Sequence, residues 1–222
     1  MIQYASRIIK AQAEGKNPQI HDAFNGLMNN MSIARKLFRL FKSLMEYQKI
    51  KNLMKGDLPQ FEKIMNVLCR ASFFWYWFFD NLSVLIKIKF INSLEFASIN
   101  RKACKFWLVG CLIGIFLALY SMINDMKKEA ELLLLKSKIK PVSDLSESKA
   151  VDEAAWKQDW NKLQARKKTN FLNLIKNCGD AITASQNLGY PKRFFGFTFS
   201  DTMVGLGGFT SAAITCYQTY PA

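Results

Sequence analysis

Residue types that support catalysis or metal binding are sparse in this chain of 222 residues. His21 is the only histidine, which excludes a multi-histidine metal site and any triad that depends on a second histidine. The "GLGG" at residues 205–208 has neither a preceding strand pattern nor a following Lys-Ser/Thr, so it is not a phosphate-binding loop. We therefore expect no enzyme activity, no cofactor and no metal.

The cysteines show no close pair of the zinc-binding or redox type, so reduced thiols in or near apolar packing are expected. They are Cys69, Cys104, Cys111, Cys178 and Cys216.

The first residues, "MIQYASRIIKAQAEGK", have no continuous apolar core followed by a small-residue cleavage site, and no secretory signal is expected there.

The abundant chemistry is a combination of cations with large apolar side chains. The formal net charge is +14, half of the residues are hydrophobic and 18 are Phe. An excess of positive charge indicates an anionic partner, which is either nucleic acid or an anionic lipid leaflet. No zinc-finger spacing or ribonucleoprotein signature is present, and the cations lie beside apolar runs. The sequence thus favours an anionic phospholipid membrane as partner and no nucleic acid.

This combination is densest in "SIARKLFRLFKSLMEY", residues 32–47. On one straight helix, the apolar side chains from Met31 to Met45 fill about half of the circumference, and the remaining arc is polar and mostly cationic. A basic amphipathic helix of this kind is typical of a membrane interface, although amphipathic helices also pack against soluble cores.

Helical spacing and breakers predict an all-α, membrane-embedded protein with N-terminal amphipathic helices and about two transmembrane helices. A first helix is predicted from Ile2 to about Glu14, and a second from about His21 to Lys55. Together they make up an N-terminal amphipathic region over residues 1–60.

Residues 61–123 are an aromatic-rich, membrane-associated region. The run "ASFFWYWFFDNLSVLIKIKFI" is long enough to cross a bilayer, but Asp80 and its lysines make that crossing costly. The clearest span is Phe106 to Ile123, which is free of charge and about 27 Å long at 1.5 Å per residue. Its Gly110, Gly114 and Ala118 recur every four residues and offer a smooth face for helix packing.

The rest of the chain divides into a charged part, residues 124–170, and a C-terminal part, residues 171–222. The charged part is predicted to hold a linker at 141–148 and a helix from about Ala150. The C-terminal part holds a helix and a second span near residues 203–219, where Gly207, Gly208 and Ser211 form another small-residue packing face.

Several segments, in order, resemble the peroxin eleven family of peroxisomal membrane elongation and division factors. They include "QYASRII", "ARKLFRL", "FFDNLSVLIKIKFI", "KFWLVGCLIGI", "LIKNCGDAI" and "GLGGFTSAA", and they are distributed along nearly the full chain. The resemblance implies an integral protein of the peroxisomal membrane, or of a related organelle such as a glycosome. Its amphipathic helix inserts into the cytosolic leaflet, and the protein oligomerises and elongates the organelle before fission by a dynamin-family GTPase with its membrane adaptor.

The resemblance also assigns roles to the residues of the basic helix. The implied headgroup partners are Arg35, Lys36, Arg39 and Lys42, and the implied inserted side chains are Leu37, Phe38, Leu40, Phe41 and Leu44.

Two other functions remain open at this point. A pore or transporter for small metabolites is one, because conduction has been proposed for some family members and Asp80 could line a polar path. A soluble helical nucleic-acid or scaffold module is the other, and it requires residues 106–123 to be a buried core helix.

Overall fold

The computed structural model describes residues 1–138 and 147–220, and the regular structure in these ranges is entirely helical. The predicted all-α class is therefore confirmed. Most of the predicted linker at 141–148 lies outside the described residues. The helices are α1 (Ile2–Ala13), α2 (Pro18–Leu37), α3 (Lys42–Lys55), α4 (Gln60–Lys87), α5 (Phe96–Lys138), α6 (Glu147–Leu188), α7 (Tyr190–Phe195) and α8 (Asp201–Thr219).

The boundary between α1 and α2 follows local sequence signals. Gly15 adopts a positive φ of 72°, which a residue without Cβ accommodates easily. The Asn17 side chain then caps α2 by accepting a hydrogen bond from the Ile20 amide at 3.1 Å, and Pro18 occupies the first turn. The predicted first helix is confirmed.

The predicted single helix from His21 to Lys55 is wrong. The chain leaves the helical path at residues 38–41, where Phe41 adopts a left-handed φ of 65°. That conformation costs a non-glycine residue about 1–2 kcal/mol. Contacts on both sides of the turn offset the cost, because Lys36 binds Asp80 of α4 and Lys42 lies over the Trp77 ring of α4.

Helices α4, α5, α6 and α8 form the body of the molecule. α5 packs against α4 and α6, and α6 also packs against α8. α4 and α5 run antiparallel, since Phe61 meets Tyr120 at one end and Phe79 meets Phe106 at the other. α3 lies on α4, and α1 contacts both α2 and α8.

The interior of this body combines an apolar core around Tyr76, Trp77 and Ala103 with several buried polar groups. Polar side chains are buried inside: Ser83, Asp80, Asp125, Asn177, Thr183 and Ser211. The outer face of α5 exposes Val109, Leu112, Phe116, Leu119 and Ile123. A large continuous apolar surface is typical of a face that contacts lipid or another protein.

Within residues 1–138 and 147–220, one helix is long and apolar enough to cross a membrane. It is α5, with a best window of mean hydropathy 2.3 that is only 22% buried. This helix contains the predicted span at 106–123. The second predicted span, in α8, does not meet the same criterion, and the number of spans stays a prediction.

Candidate membrane-contact site

The turn between α2 and α3 presents apolar side chains to the outside. Phe38 is 91% exposed and Phe41 is 69% exposed, and Leu37 and Leu44 are also exposed. We call these four residues the apolar tip. Leu40, which the sequence places in the same set, is partly buried. Because exposed apolar area is unfavourable in water, the apolar tip is suited to an apolar partner.

Four cations flank the apolar tip, and we call them the basic cluster: Arg35, Lys36, Arg39 and Lys42. The Arg35 guanidinium donates a hydrogen bond to the Tyr4 hydroxyl at 2.9 Å. Lys36 Nζ lies 2.7 Å from an Asp80 carboxylate oxygen and 3.3 Å from Ser83 Oγ. All four cations lie against the protein, and their predicted contact with lipid headgroups stays a prediction.

The other two cations, Arg39 and Lys42, contact the ring of Trp77 in α4. The guanidinium carbon of Arg39 lies 5.2 Å from the Trp77 ring centroid, and Lys42 Nζ lies 4.3 Å from it. Burial lowers the pKa of Lys42, and the nearby Arg39 lowers it further. Burial also lowers the pKa of Arg39, and Arg35 adds to that effect. The surroundings of Arg39 and Lys42 therefore disfavour the charged forms of both side chains.

The sequence presents Asp80 as a costly charge in an apolar run and as a residue that could line a polar path. In the structure it is 3% exposed and forms an ion pair with Lys36 of the basic cluster. No local spacing signals this pair, because Lys36 and Asp80 lie on different helices.

The predicted packing face on α5 lies inside the chain. A Cβ on Gly110 would lie 3.2 Å from the Phe73 ring of α4, and one on Gly114 would lie 2.6 Å from the Asn177 side chain of α6. Ala118, the third residue of the face, is 6% exposed. The close approach that these small residues permit is between helices of one copy.

The predicted packing face on α8 is occupied in the same way. Gly207 packs directly against the backbone of Gly179 in α6, and Gly208 packs against the Tyr4 ring of α1. Ser211 is also buried. Self-association through either face stays a prediction, and it would compete with these contacts within the chain.

The sequence analysis missed a polar face on α6. Asn170, Asn173, Asn177 and Asp180 recur at intervals of three or four residues, and all four line a cavity of about 540 Å³ beside α5. Asn170 donates hydrogen bonds to Ser121 Oγ at 2.7 Å and to Asp125 at 2.8 Å. The helical spacing of these polar residues was the available signal.

Among the described residues, no group of three or more His, Cys, Asp or Glu side chains could hold a metal ion.

The comparisons with known proteins agree with this apolar exterior and helical body. The family model of Peroxisomal biogenesis factor 11 (PEX11) matches residues 1–220. The chain belongs to the PEX11 family. A relative from Dictyostelium discoideum, "Peroxisomal membrane protein 11 homolog", is 27% identical over 234 residues, covering 100% of this chain and 87% of that protein. No solved structure matches.

Membership of the PEX11 family confirms the resemblance predicted from the sequence and the predicted location. The chain is a peroxisomal membrane protein, and PEX11 is a peroxisome biogenesis family rather than a known enzyme family.

Proposed function

We propose that this protein bends the cytosolic leaflet of the peroxisomal membrane by inserting the apolar tip, and so promotes elongation, fission and proliferation of the organelle. The exposure of Phe38 and Phe41 at the turn between α2 and α3 is the observation that carries the proposal. Apolar groups buried about 5–10 Å deep expand one leaflet more than the other, which favours positive curvature.

The magnitudes fit a wedge that inserts reversibly. Full burial of a large apolar side chain contributes about 1.5–3 kcal/mol, so the two Phe side chains together supply a few kcal/mol. Each cation near an anionic surface adds about 1 kcal/mol. In this proposal the apolar tip inserts into the leaflet. Arg39 and Lys42 then leave the Trp77 ring and bind lipid phosphates.

The partners in this proposal come from family membership. They are further copies of this chain, an anionic phospholipid membrane, and a dynamin-family fission GTPase with its membrane adaptor.

The test uses the full chain reconstituted into vesicles of phosphatidylcholine and phosphatidylserine. We expect the wild type to draw these vesicles into tubules, and Phe38→Ser/Phe41→Ser to lose this activity because the wedge is removed. The matched control is Phe194→Ser/Phe195→Ser, which changes two Phe residues of α7 that are 65% and 75% exposed. Electron microscopy at equal bound protein should show tubules with the control. Equal tubulation by the two double variants would count against the proposal.

A pore for small solutes is a second candidate, and one observation favours it. Two cavities, of about 390 and 540 Å³, lie along α5. Trp107, near one end of the predicted span, lines the smaller cavity, and Ser121, near the other end, lines the larger one. Polar side chains line both cavities. Solute efflux from sealed vesicles tests this function, and vesicles as tight as protein-free ones would exclude it.

A further inference from the structure

The smaller of these two cavities, about 390 Å³, lies where α1 and α2 meet α4, α5, α6 and α8. Five cations line it: Arg7, Lys10, Arg35, Lys36 and Lys87. The carboxylates that line it are Asp80 and Asp201. The lining therefore carries an excess of positive charge, which favours an anionic occupant.

The two carboxylates are already engaged. Asp201 binds Arg7 at 2.7 Å and Lys10 at 3.2 Å, and Asp80 binds Lys36 at 2.7 Å. Within the part of the chain that the structure describes, neither Arg35 nor Lys87 has a carboxylate at salt-bridge distance. These two side chains are thus available to an anion.

Arg35 carries a further indication of a ligand. Its Nε atom is buried and lacks a hydrogen-bond partner among the described residues, whereas its Nη1 atom donates to Tyr4. A buried donor without an acceptor costs about 1–3 kcal/mol, and more when the group is charged. The Arg35 guanidinium, which lines the cavity, thus keeps donor capacity beyond its bond to Tyr4.

We propose that this cavity binds one phosphate group, carried by a phospholipid headgroup or present as free phosphate. A phosphate combines a charge near −2 with several acceptor oxygens, which suits a guanidinium and neighbouring ammonium groups better than a single carboxylate does. The apolar side chains of Ile33, Val84 and Ile88, which also line the cavity, leave room for the glycerol end of a lipid. The bound phosphate ties α1 and α2 to α4, which carries Lys87.

The experiment uses the full chain in a non-ionic, phosphate-free detergent, with binding measured by isothermal titration calorimetry. One arm adds inorganic phosphate, and the other adds short-chain phosphatidic acid. We expect Lys87→Gln and Arg35→Gln each to weaken binding about tenfold, the loss expected for one charged hydrogen bond. Arg35→Lys should recover most of the affinity. The matched control is Lys51→Gln, an exposed cation outside the cavity lining, which should stay within about twofold of wild type.

The two arms distinguish the source of the phosphate. Binding of both probes supports a site for the phosphate group itself, and binding of phosphatidic acid alone supports a lipid site. Lys87 is exposed, so its replacement leaves the packing intact, and circular dichroism checks the Arg35 variants. No binding of either probe, or an equal loss with Lys51→Gln, would overturn the proposal. The result is independent of tubulation, which the apolar tip is proposed to drive.

Discussion

At the scale of single residues, the pair of Lys36 and Asp80 holds the turn between α2 and α3 in place. Its two charged groups lie 2.7 Å apart, and the side chains are 21% and 5% exposed. Removing one partner of a buried pair leaves the other charge without compensation, which typically costs about 3–5 kcal/mol.

Replacing Asp80 with Asn should therefore lower the thermal stability of the protein in detergent and speed amide hydrogen exchange across residues 32–45. The double variant Asp80→Asn/Lys36→Met should recover part of the lost stability, because no unpaired charge remains. Exchange in this segment that is unchanged in Asp80→Asn would show that the pair does not hold the turn.

At the scale of helices, sequence periodicity and helix-breaking residues predict most of the helix boundaries. The remaining boundaries depend on contacts between helices. Gly15, Asn17 and Pro18 mark the end of α1 and the start of α2 locally, and that boundary was predictable. The break at residues 38–41 was not, because it depends on Asp80 and Trp77, which lie far away in sequence. The helices that pack on the small-residue faces were also not predictable. The spacing of small residues in the sequence predicts a smooth face, but it does not indicate which helix covers that face.

The crossing of α6 and α8 offers a sharp test at this scale. A Cβ on Gly179 would collide with the Gly207 carbonyl, and a backbone atom cannot rotate away. Gly179→Ala should therefore lower the melting temperature. The control is Gly26→Ala in α2, where a Cβ meets nothing within 4 Å and the better helix propensity should stabilise by up to about 1 kcal/mol. Equal melting temperatures for the two variants would contradict the crossing.

At the scale of the whole molecule, large apolar side chains lie on the outer face of α5 and several polar side chains are buried. The apolar exterior of α5 and the family match agree with a protein of the peroxisomal membrane. The sequence predicted the α5 span from composition alone, but the polar face of α6 went unnoticed because apolar residues alternate with it. We predict that both chain ends face the cytosol, because two spans return the chain to its starting side, and protease protection of terminal tags checks this.

The central claim is that the apolar tip enters the bilayer of the intact protein. The most direct measurement places a nitroxide spin label at position 38 of the full chain in lipid nanodiscs, in a variant without native cysteines. A second label at position 51, an exposed lysine of α3, serves as the comparison. We predict that oxygen relaxes the label at position 38 more effectively than a water-soluble nickel chelate does, at a depth of about 5–10 Å. Equal access of the nickel chelate to positions 38 and 51 would contradict the account.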